Sequence, residues 1–299
     1  MKVKVWISAF RLRTLPLSLS SIGMGSILAW FYGSFSGSVF TLALLTTVFL
    51  QVLSNLANDY GDYQHGADNT SRVGPARAVQ SGSISPGAMK KGIFVFALLS
   101  LVSGISLLLV SLSLSISFLI MLMIGLLAIA AAIKYTAGKK PYGYAGLGDI
   151  SVFCFFGIAG VLGTFFLHSG YVTWLILLPA ASCGLFAVGV LNLNNMRDAE
   201  SDEPVGKKTI PVRLGPEKSV AYHVTLISLG VILSIVFVGM VGYSYWQWLF
   251  VLATPLFIKN ILAAVKYKKG GKLDPYLRQL AISTFFFVLI FSAGFLFAG

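Results

Sequence analysis

The sequence is poor in charged residues. Asp, Glu, Lys and Arg make up 11% of its 299 residues, whereas 57% are hydrophobic. A soluble domain of this length carries roughly 25% charged residues. The composition therefore excludes an ordinary water-soluble domain and predicts a protein surrounded by lipid.

Cysteine and histidine are scarce as well. The chain has two cysteines and three histidines, and neither Cys154 nor Cys183 belongs to a CxxC pair. The sequence therefore gives no disulfide framework and no cysteine-based metal site. Both cysteines fall in apolar runs, where we predict that they are small packing residues.

Long apolar runs dominate the sequence. Four windows contain no charged residue, and each window is 40 to 47 residues long. One bilayer crossing takes roughly 20 residues of helix, so each window predicts two crossings joined by a turn. The windows are residues 14–58, 92–133, 150–196 and 219–258.

The expected turns contain Gly, Ser or Tyr and carry no charge. They are Gly33–Gly37, Ser111–Ser115, His168–Tyr171 and Gly239–Tyr245. Residues 279–299 fit a ninth crossing. A β-barrel is disfavoured because its strands alternate in polarity, whereas these runs are apolar all round. The chain is predicted to be an all-α integral membrane protein with nine transmembrane helices in one domain, residues 1–299.

The basic residues predict the orientation. All 22 Lys and Arg lie outside the expected turns, on the side of the membrane that holds the N-terminus. The positive-inside rule makes this side cytoplasmic, so we expect the N-terminus inside and the C-terminus outside. The net charge of +12 then reflects topology and contact with anionic membrane lipids, and it requires no nucleic-acid partner.

Acidic and amide side chains form two clusters on the predicted cytoplasmic side. Each cluster begins near the end of an apolar run, in the predicted second and sixth helices. Spacings of three, four and seven residues place Asn55, Asp59 and Asp62 on one helix face, and they do the same for Asn195, Asp198 and Asp202. The first cluster is Asn55, Asn58, Asp59, Asp62 and Asp68, and the second is Asn192, Asn194, Asn195, Asp198 and Asp202.

The two clusters predict a magnesium site. Four carboxylates, those of Asp59, Asp62, Asp198 and Asp202, would face one another across a small gap, and their repulsion calls for a cation. Mg²⁺ prefers a few carboxylates and completes its shell with water and phosphate oxygens. The alternative is that these side chains only cap helix ends in solvent.

The same clusters indicate an internal repeat. Equivalent residues lie 139 positions apart, namely Asn55 with Asn194 and Asp59 with Asp198. Downstream, Arg77 and Arg213 each follow a proline by two positions. We therefore predict two four-helix pseudo-repeats, roughly residues 14–134 and 149–266, with the ninth helix outside them.

Basic residues surround both clusters. Carboxylates for Mg²⁺ beside Lys and Arg for phosphate are the groups that bind and ionise a diphosphate. The alternative is that these cations only fix the topology. They are Arg72, Arg77, Lys90 and Lys91 after the first cluster, Lys134, Lys139 and Lys140 between the fourth and fifth helices, and Lys207, Lys208 and Arg213 after the second cluster.

The clusters resemble the motifs of a known family. Residues 58–62 (Asn-Asp-Tyr-Gly-Asp), continuing to Asp68, resemble the first aspartate motif of UbiA-type intramembrane prenyltransferases. Residues 195–202 (Asn-Met-Arg-Asp-Ala-Glu-Ser-Asp) resemble the second. This resemblance covers essentially the whole chain. It implies that the two motifs bind Mg²⁺ and the diphosphate of a polyprenyl diphosphate.

Two further runs, residues 74–82 and 142–149, resemble the branch of the family that prenylates 1,4-dihydroxy-2-naphthoate in menaquinone synthesis. This resemblance implies an aromatic polyprenyltransferase of the bacterial cytoplasmic membrane, with its active site facing the cytoplasm. It also implies that the ring loses carbon dioxide, giving demethylmenaquinone. The glycine-rich run 143–148 is either a mobile lid or a plain turn.

The candidate site residues form a catalytic set and a substrate-binding set. The catalytic set is Asp59, Asp62, Asp198, Asp202, Arg77 and Lys134, in which the four aspartates are also the metal ligands. The substrate-binding set is Asn55, Asn58, Asn194, Asn195, Asp68, Arg72, Lys139, Lys140, Tyr144, Asp149, Lys207 and Arg213.

Two alternatives stay open on the sequence. The acceptor could be another aromatic acid, such as 4-hydroxybenzoate or homogentisate. A secondary transporter also combines repeats with intramembrane polar residues, but its ionisable groups would lie near the midplane. Here they gather at one face, which favours the enzyme.

Overall fold

The computed structural model of the protein describes residues 2–66 and 77–299, which form helices and connecting loops without a β-strand. Within these residues, nine helices are long and apolar enough to cross a membrane, which confirms the predicted number. They are α1 (Val3–Phe31), α2 (Gly37–Gln64), α3 (Pro86–Ser111), α4 (Ile116–Lys134), α5 (Gly148–Ser169), α6 (Trp174–Asp202), α7 (Ile210–Val241), α8 (Tyr245–Tyr267) and α9 (Gly271–Ala298).

The turns that join paired helices are short and uncharged, as the sequence predicts. They are residues 32–36, 112–115, 170–173 and 242–244. Three of these turns end in a serine that caps the next helix, namely Ser36, Ser115 and Ser244. The Ser36 side chain accepts a hydrogen bond from the Val39 N–H, and the Ser115 side chain accepts one from the Phe118 N–H. Such caps satisfy N–H groups that have no partner within the helix.

The opposite end of the bundle carries the charge. There α2, α4, α6 and α8 finish and α3, α5, α7 and α9 begin, and the charged residues lie in or near those segments. The bundle thus has one charged end and one uncharged end. Which end faces the cytoplasm stays a prediction.

Helix α1 is broken near the charged end. It consists of a helix over Lys2–Phe10, a short 3-10 turn over Leu12–Thr14 and a helix over Leu15–Phe31. The Asn55 amide of α2 donates to the Phe10 carbonyl at 2.9 Å and to the Thr14 hydroxyl at 3.1 Å. Asn55 therefore satisfies backbone and side-chain groups that the break exposes.

Helices α5 and α6 approach each other closely. Residues Phe153–Gly163 of α5 form a π-helical stretch, a conformation that is rare outside functional or strained segments. A Cβ atom on Gly157 would lie 2.7 Å from the Ala180 carbonyl oxygen and 2.9 Å from the Gly184 Cα atom. Small residues are what permits such contact between membrane helices.

The main core is aromatic and lies among α1 and α5–α9. Phe186 stacks on Phe257 with ring centroids 4.5 Å apart, and Phe291 stacks on Phe295 at 4.7 Å. Near the charged end, α7, α8 and α9 are also linked by polar groups. The buried His223 and Asn260 are joined by a 2.9 Å hydrogen bond, and Asn260 donates to Gln279 at 2.6 Å.

The two cysteines are free thiols in different environments. Cys183 of α6 is buried, whereas Cys154 of α5 is exposed on the helix surface. The prediction that both are packing residues is therefore wrong for Cys154, since its position in an apolar run does not indicate which face of the helix it occupies.

Candidate functional site

The first aspartate motif forms the last turns of α2. Asp59 is buried, and its two oxygens accept hydrogen bonds from the backbone N–H groups of Ala78 (3.0 Å) and Val79 (3.2 Å). The carboxylate is thus held by the chain segment that follows α2. Each oxygen has a second lone pair for another ligand.

Asp62 lies one helical turn further on and joins two other elements to α2. Its Oδ2 atom is 2.8 Å from the Arg77 guanidinium, and its Oδ1 atom accepts a 2.9 Å hydrogen bond from the Tyr144 hydroxyl. All three side chains are buried. The structure therefore places the predicted cation Arg77 and the predicted Tyr144 directly against the first motif.

The second motif forms the end of α6. Asp198 makes a two-bond ion pair with its neighbour Arg197, with Nε–Oδ1 at 2.7 Å and Nη2–Oδ2 at 2.6 Å. The buried Arg197 also donates to Asn194 at 2.9 Å and to Asp274 of α9 at 2.5 Å. Bidentate pairs of this kind are strong and fix the orientation of the carboxylate.

Two residues of this network were absent from the predicted site. Arg197 had a signal, because it lies inside the second motif and is the single Lys or Arg of α6. Asp274 had none, because nothing in its local sequence connects the start of α9 to the end of α6.

Asp202 forms an ion pair with a lysine that lies near the first motif. Lys207 Nζ lies 3.2 Å from Asp202 Oδ1, and the other oxygen of Asp202 is buried without a hydrogen-bond partner. The ammonium also lies 5.5 Å from the centroid of the Tyr144 ring. Burial lowers the pKa of Lys207, but the carboxylates of Asp62, Asp202 and Asp198 raise it by more, so it stays protonated. One cation is thus shared by both motifs.

The loop between α4 and α5 covers this region. The Tyr144 carbonyl accepts a 2.9 Å hydrogen bond from the Lys208 N–H. Arg213 donates to the carbonyls of Ala145 (2.6 Å) and Lys208 (3.0 Å). The glycine-rich run 143–148 is therefore tied to the loop that carries Lys207.

Arg77 and Arg213 differ in their contacts, although the sequence places them alike. Arg77 pairs with a motif aspartate, whereas Arg213 is exposed and donates to two backbone carbonyls. In the second half of the chain the motif aspartates pair instead with Arg197 and Lys207. Equivalent sequence positions therefore do not make equivalent contacts here.

The predicted Asp149 lies at the start of α5, below that loop. It is buried and accepts a 2.9 Å hydrogen bond from the Tyr222 hydroxyl of α7. Burial raises the pKa of Tyr135 above its ordinary value, and the nearby Asp149 raises it further. Tyr135 is therefore a neutral phenol beside a carboxylate.

The remaining predicted residues differ in their burial and in their contacts. Asn58 accepts a 3.1 Å hydrogen bond from the Thr136 hydroxyl, and Asn195 is buried with no described hydrogen-bond partner. The side chains of three predicted lysines are exposed and form no ion pair with the described residues; they are Lys134, Lys139 and Lys140. Asp68 and Arg72 lie outside the described residues.

The carboxylates of the two motifs fit an open magnesium site rather than a closed one. Across residues 2–66 and 77–299, no three Asp, Glu, His or Cys side chains are close enough to hold one ion by themselves. The described residues therefore form no closed protein cage. Mg²⁺ ordinarily uses one or two carboxylates and fills its shell with water and substrate phosphates. The unpartnered Asp202 oxygen and the shared Lys207 ammonium fit such an open site.

A largely apolar cavity of about 370 Å³ opens beneath the first motif, among α1–α5. Its volume is in the range of ordinary ligand pockets, roughly 300–1,000 Å³. Most of its walls are aliphatic and aromatic. At the end nearest the motifs it is lined by polar side chains, namely Gln51, Ser54, Asn58, Tyr135, Tyr142 and Ser151.

Fold and site together define a multi-pass membrane protein with a carboxylate and cation site at one end of its bundle, above an apolar cavity. Residues 18–290 match the UbiA prenyltransferase family. The chain belongs to this family, as the resemblance predicted.

Three comparisons bear on the family. The 1,4-dihydroxy-2-naphthoate octaprenyltransferase of Haemophilus influenzae is 43% identical, over 99% of this chain and 96% of that one. The enzyme of the same name from Escherichia coli is 39% identical, over 98% and 95%. A solved structure of a UbiA homolog from Archaeoglobus fulgidus, bound to GPP and Mg²⁺, has a TM-score of 0.64 and 19% identity, covering 96% of this chain and 99% of that one. That structural likeness shows the fold.

Proposed function

We propose that this protein transfers a polyprenyl group from a polyprenyl diphosphate to 1,4-dihydroxy-2-naphthoate, in menaquinone biosynthesis. The observation that carries this proposal is the 43% identity, over nearly the full length, to an enzyme named for that acceptor. The site contains what the reaction needs, because carboxylates and cations meet at the charged end of the bundle, and an apolar cavity reaches the first motif at Asn58. Family membership favours the enzyme over a transporter.

The metal of this proposal is Mg²⁺. The carboxylates of Asp59, Asp62, Asp198 and Asp202 would supply its protein ligands, one or two to an ion, with diphosphate oxygens and water completing the shell. When bound, it supplies positive charge that neutralises the diphosphate as it leaves. The contacts already described orient these ligands: backbone N–H groups hold Asp59, Arg77 and Tyr144 hold Asp62, and Arg197 holds Asp198.

The basic side chains bind and stabilise the leaving diphosphate. Arg77 is buried against Asp62, and Lys207 lies beside Asp202 with 11% of its side chain exposed, so both cations are close to the carboxylates that would bind the metal. Lys134, Lys139 and Lys140 are exposed at the same end and attract the anion to it. Stabilising charge that develops on the leaving group lowers the barrier to breaking the allylic C–O bond.

The apolar cavity takes the prenyl chain, and its polar end takes the ring. Asn58, Tyr142 and Ser151 can hydrogen-bond the hydroxyl groups of the acceptor there. The electron-rich ring carbon that bears the carboxylate attacks the allylic carbon as the allylic C–O bond to diphosphate breaks. That carboxylate then leaves as carbon dioxide, and the electron pair of its C–C bond returns to the ring. The ring is already activated, so no strong base is required.

The setting of this proposal is the bacterial cytoplasmic membrane, with the charged end of the bundle facing the cytoplasm. Both substrates are then within reach, because the diphosphate and the naphthoate carboxylate are anionic and water-facing while the prenyl chain stays in the bilayer. Anionic lipids supply the surroundings that the basic loops favour.

An acceptor assay tests the proposal. Purified protein in detergent with Mg²⁺ and a polyprenyl diphosphate receives 1,4-dihydroxy-2-naphthoate, 4-hydroxybenzoate or homogentisate in separate reactions. We expect a prenylated product and released carbon dioxide only with the naphthoate. A product from 4-hydroxybenzoate or homogentisate alone would assign the protein to another acceptor. Solute counterflow in proteoliposomes without any product would support the transporter instead.

A further inference from the structure

Lys207 contacts the second aspartate motif and lies close to the first. It lies on the loop 203–209, and its ammonium contacts Asp202 and faces the ring of Tyr144. Tyr144 in turn donates to Asp62. The carboxylates of Asp62 and Asp198 also act on this ammonium electrostatically. One side chain therefore lies where charges from both helices converge.

The lysine offsets the negative charge of these carboxylates, but it does not satisfy all of their hydrogen-bond acceptors. Its bond to Asp202 is 3.2 Å long, whereas charge-assisted N–H···O bonds are usually about 2.7–2.9 Å. The second oxygen of Asp202 is buried and has no hydrogen-bond partner. A buried ion pair offsets its desolvation only when its remaining acceptors are also satisfied. The arrangement thus leaves a ligand position for a stronger cation.

We propose that Lys207 is a tethered counter-ion: its ammonium holds the two carboxylate motifs together in the metal-free protein, and it is displaced when Mg²⁺ binds. The inference rests on the proposed function, which takes Mg²⁺ as the ion. An ammonium and a divalent cation repel each other, and they compete here for the same carboxylates. Lys207 therefore lowers the affinity for metal alone while preventing the motifs from repelling each other.

The loop allows such displacement. Lys207 is outside both α6 and α7, and the preceding Gly206 has a φ of 74°, which a residue with a side chain rarely adopts. The long side chain of lysine has a mobile point charge rather than a fixed fork. The ammonium can leave Asp202 without any shift of the helix that carries the motif.

Manganese binding to the ligand-free protein tests this inference. Mn²⁺ is titrated into the purified full chain, without diphosphate, and bound ion is followed by electron paramagnetic resonance. We expect Lys207→Gln to bind Mn²⁺ about tenfold or more tightly than wild type, because a unit charge within a few ångströms changes such equilibria by roughly 10- to 1,000-fold. Lys207→Arg should stay close to wild type. The matched control is Lys208→Gln, an exposed lysine on the same loop.

Thermal unfolding of the same proteins gives a second measure. Without metal, we expect Lys207→Gln to unfold at least about 2 °C below wild type and the Lys208→Gln control, because the carboxylates lose their counter-ion. Saturating Mn²⁺ should remove that difference.

Amine labelling uses only the wild-type protein, so its result does not depend on whether a variant folds. An acetylating reagent is applied with and without saturating Mn²⁺, and modification of Lys207 is compared with that of Lys208 by mass spectrometry. We expect Mn²⁺ to increase labelling of Lys207 relative to Lys208.

Two results would overturn the inference: equal Mn²⁺ affinity for Lys207→Gln and Lys208→Gln, or no change in Lys207 labelling at saturating Mn²⁺. Either could occur in an enzyme that still binds metal and forms product, so the proposed function would stand. A wild type with no Mn²⁺ binding and no product would instead remove the proposed function as well.

Discussion

The four motif aspartates have the same side chain but different hydrogen-bond and ion-pair partners. They are Asp59, Asp62, Asp198 and Asp202. Backbone N–H groups hold Asp59, an arginine and a tyrosine hold Asp62, and a bidentate arginine holds Asp198. Asp202 has a single long contact and one unpartnered oxygen. The first three are therefore oriented by the protein, and Asp202 has the most free capacity to bind a metal.

Replacement of Asp202 should consequently remove activity. We expect Asp202→Asn to lower kcat by at least about 100-fold, because an amide neither neutralises Lys207 nor offers a second anionic oxygen to the metal. The control is Glu200→Gln in the same motif, whose side chain is exposed and pairs only with Lys269 among the described residues. Steady-state product formation measures both variants. Equal losses of kcat in the two variants would show that activity depends on negative charge at the end of α6, and not on a metal ligand at position 202.

Tyr144 presents two parts of one side chain to the site. Its hydroxyl donates to Asp62, and its ring faces Lys207. We expect Tyr144→Phe to keep the ring contact and lose the hydrogen bond, lowering kcat/KM by roughly 10-fold, as removal of groups that orient metal ligands usually does. Tyr171→Phe, at the uncharged end, is the control. An unchanged kcat/KM in Tyr144→Phe would show that the hydroxyl does not orient Asp62.

At the scale of elements, the end of α2 is held against the loop after α4. The Thr136 hydroxyl donates to the Ala57 carbonyl and to Asn58 of α2, both at 3.1 Å. A Cβ atom on Gly61 would lie 2.5 Å from the Thr136 carbonyl carbon. Gly61 separates the two aspartates of the first motif, so its missing side chain sets how closely the loop with Tyr144 can approach them.

Gly61→Ala should therefore damage the site without removing any functional group. We expect a loss of roughly 1–3 kcal/mol in the free energy of unfolding from overpacking, together with reduced activity as the loop moves from Asp62. Gly239→Ala in α7, where a Cβ atom would meet nothing within 4 Å, should be near neutral. Thermal unfolding and product formation distinguish them. A Gly61→Ala variant with wild-type stability would contradict the close packing.

Helices α6 and α9 are joined by Arg197, which connects Asp198 to Asp274. A buried arginine between two carboxylates makes the start of α9 part of the support of the second motif. The ninth helix lies outside the predicted four-helix pseudo-repeats, so part of the support of the second motif comes from outside its own repeat. The pseudo-repeats stay a prediction, and the unlike contacts of Arg77 and Arg213 show how far side chains can diverge within them.

At the scale of the molecule, charge separates the two ends of the bundle. The turns 32–36, 112–115, 170–173 and 242–244 contain no charged residue, whereas both aspartate motifs and their basic partners lie at the other end. The positive-inside rule predicts that this charged end is cytoplasmic. The site would then receive diphosphate and naphthoate from the compartment in which they are soluble.

Reporter fusions test the orientation. Alkaline phosphatase is active only outside the cytoplasm, and green fluorescent protein fluoresces when it folds inside. We expect a C-terminal phosphatase fusion to be active and a C-terminal fluorescent fusion to be dark, because nine crossings put the two termini on opposite sides. Fusions after residue 205, in the loop between α6 and α7, should give the reverse pattern. An active phosphatase at residue 205 would invert the topology.

Much of the fold could be predicted from the sequence because the bilayer imposes a length on each apolar run. The uncharged windows placed the turns to within a few residues, and the motif spacings placed the aspartates at the ends of α2 and α6. The roles of Asn55, Arg213 and Asp274 could not be predicted in this way. Each depends on a partner 45 to 77 positions away, as in the contacts with Phe10, Ala145 and Arg197.

The sequence by itself determined the number of helices, the charged end and the four aspartates, since hydropathy and helical periodicity are local properties of the chain. Only the tertiary structure decided which partner each aspartate meets. Lys207 was one of ten basic residues around the clusters, and nothing in its local sequence distinguishes it from Lys208. Packing places the Lys207 ammonium against Asp202 and leaves Lys208 exposed, because the carboxylates that attract this cation come from two helices far apart in the sequence.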